Sequence, residues 1–293
     1  HLTPLSSAGD LDEATLRRYL DWLIDQGIQG LFPAGSTGEF VRFDEATWHR
    51  VVRVVCEHAA GRITVVAGAA SPGVQETVKR CDAFKELGVD ALVLVAPYYF
   101  PLSDDAVFAF FDAVATRVQH PIFLYHIPAL ANGISIPNIV RLAEEHPHIV
   151  GIKDSGGDVS RMAETIHAVG NVRDDFVCLT GYDAALAPML AVGAQGGMVA
   201  SSGIVPEVML AIERLYKSGK VDAAMDLQRR FVPLFNEMIR VGSFPDGFRL
   251  GALARGFDLG PSWLPDSLDA ATKQQAAERI QATILELLEH VPA

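Results

Sequence analysis

The chain has 293 residues, of which 49% are hydrophobic and 20% charged, ample for one large core. A formal net charge of −12 argues against nucleic acid or an anionic membrane surface as partner, while a local pocket can still take an anionic small molecule. The three cysteines (Cys56, Cys81, Cys178) form no CxxC pair, and neither a signal-peptide pattern nor an apolar run of about 18 residues occurs, so a reduced, cytoplasmic protein is expected.

Asp10 is placed to cap a first helix, whose apolar stripe of Leu16, Tyr19, Leu20, Leu23 and Ile24 ends at Gly27. Residues 30–35 read as a strand running into the turn Ser36-Thr37-Gly38-Glu39. Asp44 caps a helix with Trp48, Val51, Val52 and Val55 on one face, closed by Gly61. Then come a strand over 63–68, a helix over 74–87 and a strand over 91–96 broken by Pro97-Tyr98-Tyr99. Ser103 caps a helix reaching 118, Pro121 opens a strand over 122–125, and Pro128 breaks it. Pro137 suits the first turn of the next helix, and 149–155 form an apolar, β-branched strand. A helix over 159–169, a strand over 176–180, a short helix over 184–192 and a weak, glycine-rich strand over 196–203 follow. The chain closes with helices over 206–217, 221–241 and 268–290, and a broken helical turn lies at 248–253.

A strand followed by a helix, repeated along the chain, is the signature of a parallel sheet. Seven strands are predicted, and Leu2-Thr3-Pro4 supplies the remnant of an eighth, the first strand being largely missing. The expected fold is therefore a (β/α)8 TIM barrel in a single domain, with the barrel over 1–205 and the last barrel helix and a helical layer over 206–293. An open doubly wound sheet is disfavoured because no GxGxxG follows an early strand.

Barrel active sites lie at the C-terminal ends of the strands, and polar residues gather there. Lys153 stands out because it is planted in the apolar strand 149–155, whereas Lys79, Lys85, Lys217, Lys220 and Lys273 lie in helical or polar segments. An apolar interior favours the neutral, nucleophilic amine used in Schiff-base chemistry. The alternative is a lysine snorkelling at a strand end or paired with Asp154. Tyr125 occupies the equivalent position on the preceding strand, and neighbouring parallel strands lie about 4.8 Å apart, so a phenol can reach the lysine amine. Ser36 and Thr37, between glycines after a strand, suit a carboxylate, or else form a tight turn supported by Glu39. Tyr98 and Tyr99 are adjacent and cannot both face the barrel; they can serve as a lid, a dimer contact or a second phenol. Alternation turns His126 and Asp154 away from Tyr125 and Lys153. Asp183 and Ser201 can bind substrate hydroxyls, or serve as a helix cap and a turn residue. The nine histidines are read as offering no HxH, HxxxH or HExxH spacing, and no metal is expected.

Together these strand-end motifs resemble the dihydrodipicolinate synthase/N-acetylneuraminate lyase family. Gly35-Ser36-Thr37-Gly38-Glu39 matches its GxTGE turn, Pro97-Tyr98-Tyr99 its PYY, and Tyr125-His126-Ile127-Pro128 its YNxP, with His126 in place of asparagine. Gly151-Ile152-Lys153-Asp154 matches its G(I/L)K(D/E), and Gly181-Tyr182-Asp183 its strand-seven motif. The resemblance implies a homotetramer, a dimer of dimers, that acts on a small 2-oxo acid without metal or other cofactor. It implies that Lys153 is the Schiff-base nucleophile, Tyr125 the proton shuttle and Thr37 a relay. Substrate contacts are expected from Ser36, Thr37, Tyr99, Leu130, Asp183 and Ser201. The stretch Ala129-Leu130-Ala131-Asn132 lacks the arginine that follows YNxP in the synthases, and Ala184 replaces the glutamate usual in sialic acid lyases. The combination is most similar to aldolases that split 2-keto-3-deoxy sugar acids into pyruvate and an aldehyde such as glyceraldehyde. A sialic acid lyase, the synthase, a dehydratase of similar acids and a non-catalytic ligand-binding barrel are the alternatives.

Overall fold

The strands are β1 (Gly30–Leu31), β2 (Thr64–Gly68), β3 (Ala91–Val95), β4 (Ile122–His126), β5 (Ile149–Asp154), β6 (Val177–Thr180) and β7 (Gly196–Gly197). The helices are α1 (Glu13–Asp25), α2 (Glu45–Ala59), α3 (Val74–Glu86), α4 (Asp104–Ala115), α5 (Ile136–Glu145) and α6 (Val159–Gly170), then α7 (Leu186–Ala191), α8 (Pro206–Lys217), α9 (Val221–Arg240), α10 (Asp246–Ala254) and α11 (Ala270–Glu289). These come from a computed structural model that describes residues 1–265 and 268–292.

Local chemistry sets the helix starts. Asp44, Ser103, Ser135, Asp158 and Asp269 each accept a backbone N–H of the first turn of α2, α4, α5, α6 and α11. Each such cap contributes about 1 kcal/mol. The cap of α1 is Asp12, not Asp10: its carboxylate takes the Thr15 N–H at 3.0 Å and the Thr15 hydroxyl at 2.8 Å. Asp10 lies instead in a turn, its carbonyl accepting the Ser6 N–H at 2.7 Å.

The chain forms two compact units. Thr64–Val199 carries β2 to β7, all parallel and adjacent in chain order, and each of helices α3 to α6 packs on the next. Every residue of β3 is buried, as befits a parallel strand covered on both faces. The other unit comprises His1–Ile63 and the described residues from Ala200 onward. There α1 packs on α2, and α8 to α11 pack on one another around Phe231, Met238, Phe248, Ile280 and Ile284.

The α/β class, the parallel order and the closing helices match expectation. The eighth strand does not. Seven strands are found among the described residues, and Leu2-Thr3-Pro4 form none. Their polar groups go to loops: the Thr3 hydroxyl donates to the Gly38 carbonyl at 2.9 Å, and the Pro4 carbonyl accepts the Asp12 N–H at 3.0 Å. Leu5 makes only an isolated antiparallel bridge to Leu11. The segment 248–253, expected as a broken turn, lies within the continuous helix α10.

Candidate active site

The register of β4 and β5 sets the site, because Tyr125 pairs with Lys153 and His126 with Asp154. Lys153 is only 7% exposed and Tyr125 5%. Lysine Nζ lies over the tyrosine ring, 4.3 Å from its centroid. Such a position places the amine against the negative face of the ring.

Room for the lysine comes from glycine. A Cβ at Gly181, just past β6, would stand 2.5 Å from Lys153 Cε and 2.0 Å from Ser155 Oγ. At the start of β5, a Cβ at Gly151 would meet the Val177 carbonyl oxygen at 2.4 Å and the Phe123 ring at 2.6 Å. Ser155 lies two residues beyond Lys153, so it shares the lysine's side of the strand. Its N–H continues the ladder to the His126 carbonyl at 2.8 Å, while its hydroxyl oxygen is buried without a hydrogen-bond partner. An orphaned buried hydroxyl is costly in a scaffold and useful toward a ligand. Sequence reading passed over Ser155; its signal was the i, i+2 spacing from the lysine.

Asp154 and His126 turn to the opposite side. Asp154 Oδ1 accepts the Gly156 N–H at 2.8 Å, and Oδ2 accepts Arg161 Nε at 3.2 Å. His126 Nδ1 accepts the Ile134 N–H at 3.0 Å, which puts the ring proton of the neutral imidazole on Nε2. Arg161 also donates to the Ile134 carbonyl at 2.5 Å, so both backbone groups of Ile134 are fixed. Burial holds the His126 pKa below the usual 6.5; Asp154 pulls it up and Arg161 pushes it further down. A histidine depressed in the folded state contributes stability that is complete above its unfolded value and lost as pH falls through the folded one. The melting temperature of the protein is therefore expected to fall on acidification below about pH 6.5, and that of His126→Asn to fall less. Parallel Tm–pH curves for the two proteins would contradict this.

The other predicted residues fall in three places. Asp183 opens a short 3-10 turn after β6 and is buried. Tyr98 is half-buried and its phenol pKa is raised, chiefly by burial, whereas Tyr99 is 89% exposed at φ 80° and packs edge-on against Phe100. Leu130 is 58% exposed in the loop after β4. Asn132 clamps that loop to its neighbour: its side-chain amide donates to the Pro97 and Phe100 carbonyls and accepts the Leu102 N–H at 2.8 Å. In the other unit, Ser36 and Thr37 are half-buried in their turn, and Ser201 is fully buried in a 3-10 turn over Ala200–Gly203.

The model of the Dihydrodipicolinate synthetase family matches residues 1–283. The chain belongs to this family. It is 33% identical over 225 residues to a 4-hydroxy-tetrahydrodipicolinate synthase of Methanopyrus kandleri, covering 76% of this chain and 74% of that one. It is 34% identical over 270 residues to an uncharacterized DapA-like lyase of Pyrobaculum islandicum, covering 89% and 88%. Among solved structures, the 4-hydroxy-tetrahydrodipicolinate synthase of Methylacidiphilum fumariolicum SolV superposes with a TM-score of 0.91 at 30% identity, covering all of this chain (100%) and 97% of the other. YagE of E. coli, solved in complex with pyruvate, gives a TM-score of 0.89 at 25% identity, over 98% and 96%.

As a member of the dihydrodipicolinate synthetase family the chain is an enzyme, a lyase. Cys81 and Cys178 are free and buried, with thiol pKa values pushed up to about 12 by burial, which leaves those two thiols inert. No described helix is long and apolar enough to cross a membrane. One group among the described residues has metal-ligand spacing: single ligand atoms of Asp112, Glu145 and His146 lie within 4.8 Å of one another. These are already paired, His146 with Asp112 at 2.9 Å and Glu145 with Arg141 at 2.7 Å. His146 and His148 stand two residues apart, a spacing the reading of the histidines overlooked; the His148 ring nitrogen is bonded to the Ala115 carbonyl oxygen.

Proposed function

We propose that this protein is a Schiff-base aldolase that cleaves, or forms, the C3–C4 bond of a 2-keto-3-deoxy sugar acid, giving pyruvate and an aldehyde such as glyceraldehyde. The observation that carries the reading is the buried Lys153 in register with the buried Tyr125, its Nζ over the phenol ring. In this scheme Lys153 Nζ attacks the C2 carbonyl, and water leaves as the imine forms. Tyr125, with Thr37 as relay, takes the C4 hydroxyl proton as the C3–C4 bond breaks. The bonding pair is held as an enamine, the aldehyde departs, and C3 is then protonated. Hydrolysis of the imine releases pyruvate and the free lysine. No step calls for a metal. Ser36 and Thr37 bind the carboxylate; Tyr99, Leu130, Asp183 and Ser201 contact the substrate, and the unpartnered Ser155 hydroxyl offers a further hydrogen bond.

The absence of arginine from Ala129-Leu130-Ala131-Asn132 favours a sugar acid over a substrate with a second carboxylate, which would lack a bidentate partner. The second reading is the synthase, favoured by the similarity to the 4-hydroxy-tetrahydrodipicolinate synthase of Methanopyrus kandleri. We place the enzyme in the cytoplasm, as a homotetramer in which the exposed Tyr99 and Phe100 meet another subunit.

The test is reductive trapping. Pyruvate with cyanoborohydride is expected to add one reduced pyruvyl group, located at Lys153 by peptide mass. An unmodified lysine sinks the imine reading. An aldol screen of pyruvate against glyceraldehyde, N-acetylmannosamine and aspartate semialdehyde then separates the sugar-acid aldolase from its alternatives.

A further inference from the structure

Among the described residues, two of the four non-glycine residues with positive φ, Ala34 (φ 56°) and Glu39 (φ 65°), bracket the turn that carries Ser36 and Thr37. Left-handed backbone at a residue with a Cβ costs free energy and persists only where the surroundings over-determine it. Those surroundings are visible. Within the turn, the Glu39 N–H donates to the Ser36 carbonyl at 3.0 Å. The Thr3 hydroxyl holds the Gly38 carbonyl at 2.9 Å. The Glu39 side chain, 1% exposed, is then gripped by two arginines, Arg42 from the turn that follows and Arg249 from α10 at 3.1 Å.

Arg249 is itself buried and spends its donors on four more acceptors. One terminal nitrogen also reaches the Thr3 carbonyl at 3.1 Å; the other reaches the carbonyls of Leu259 at 2.5 Å, Gly260 at 3.3 Å and Pro261 at 2.7 Å. A close backbone approach closes the loop: the Leu5 N–H donates to the Leu259 carbonyl, and a Cβ at Gly260 would meet the Leu5 carbonyl oxygen at 1.8 Å. The Glu39 carboxyl titrates above its usual range because it is buried, and the charges of Arg249 and Arg42 oppose that rise. Nothing in the proposed chemistry uses either side chain directly.

We propose that Glu39 and Arg249 are positioning residues for the oxo acid: their buried pair holds the turn over 35–38 in the shape that presents Ser36 and Thr37 to a carboxylate, making α10 part of the support of that subsite. The inference rests on the reading of Ser36 and Thr37 as the carboxylate-binding pair. It predicts a loss specific to the carboxylate, which a purely structural pair would not produce.

The experiment compares three small molecules on the full-length wild type, Arg249→Lys and Glu39→Gln. Cyanoborohydride trapping with pyruvate should show its half-saturating concentration raised about 10-fold or more in both variants, the size of a weakened charge-assisted contact, with the limiting labelling rate unchanged. Hydroxyacetone, a ketone without a carboxylate, should label wild type and variants alike. Equal shifts for both ketones, or a lowered melting temperature with no shift for pyruvate, overturn the proposal. Lactate carries the carboxylate but no ketone, so it serves where the imine itself fails. It should raise the melting temperature of the wild type and do so about 10-fold less tightly in the variants. If pyruvate leaves wild-type Lys153 unlabelled while lactate discriminates the variants, the Schiff-base reading falls and this inference stands. Lactate that stabilises all three proteins equally, or none, overturns the inference. Should either single variant fail to fold, the double variant Glu39→Gln, Arg249→Met leaves no unpaired buried charge and is held to the same outcomes.

Discussion

Lys153→Ala is expected to lose essentially all turnover, roughly 10⁴-fold or more, together with the pyruvate label. Only an amine can form the imine, and none of the groups around it replaces that step. Asp154, the nearest charged neighbour in sequence, is committed to Arg161 and Gly156 on the other side of the strand. The fold should survive. Lys153 is buried against Tyr125 and beside Gly181, so truncation to alanine leaves a void, whereas Lys153→Met retains most of the volume and removes a buried polar group. The methionine variant is therefore expected to melt at or above the wild-type temperature while remaining inactive and unlabelled. Turnover by either variant, measured as pyruvate release, would remove Lys153 from the chemistry.

That lysine was readable in the sequence because two rules converge on it. A lysine among β-branched residues conflicts with its burial preference, and counting residues from the strand ends puts Tyr125 opposite it. The register bears out the count, and alternation by two correctly turned His126 and Asp154 to the far side. What failed to show was backbone that leaves its pattern early. The first strand was read through 35 but ends at Leu31, and the chain has left extended geometry by Ala34, at φ 56°. The last strand was read over 196–203 but keeps only Gly196–Gly197, because glycines offer a ladder and no side chains to extend it. Capping by Asp12 rather than Asp10 depends on a turn over 6–10 that composition does not reveal.

Helix α10 failed for the opposite reason. The expected broken turn over 248–253 is a continuous helix in which Gly247 and Gly251 permit close packing. A Cβ at Gly247 would meet the Met238 carbonyl oxygen at 2.1 Å, and one at Gly251 would meet Ile204 at 2.8 Å and the Met238 sulfur at 3.1 Å. Arg249 lies between these two close contacts. It is then buried by necessity, and Glu39 is the carboxylate it requires. The GxTGE turn could be recognised as a motif, but its terminal glutamate pairs with Arg249 on a helix 210 residues away in sequence.

Tyr125→Phe is expected to separate imine formation from proton transfer. The ring should keep its place, since it is buried in β4 and packed under Lys153 Nζ, and loss of one hydroxyl changes little volume. Pyruvate with cyanoborohydride should still label Lys153, because the nucleophile is intact. Exchange of the pyruvate methyl protons with deuterium, which reports enamine formation at C3, should slow by about 10²–10⁴-fold, as should aldol turnover. The two variants then give complementary results: without the lysine there is neither label nor exchange, and without the phenol there is label without exchange. A Tyr125→Phe enzyme that exchanges at the wild-type rate would assign the proton to another group. Ser155 would be the first to test, because its buried hydroxyl lies on the lysine's side of β5 and has no partner of its own.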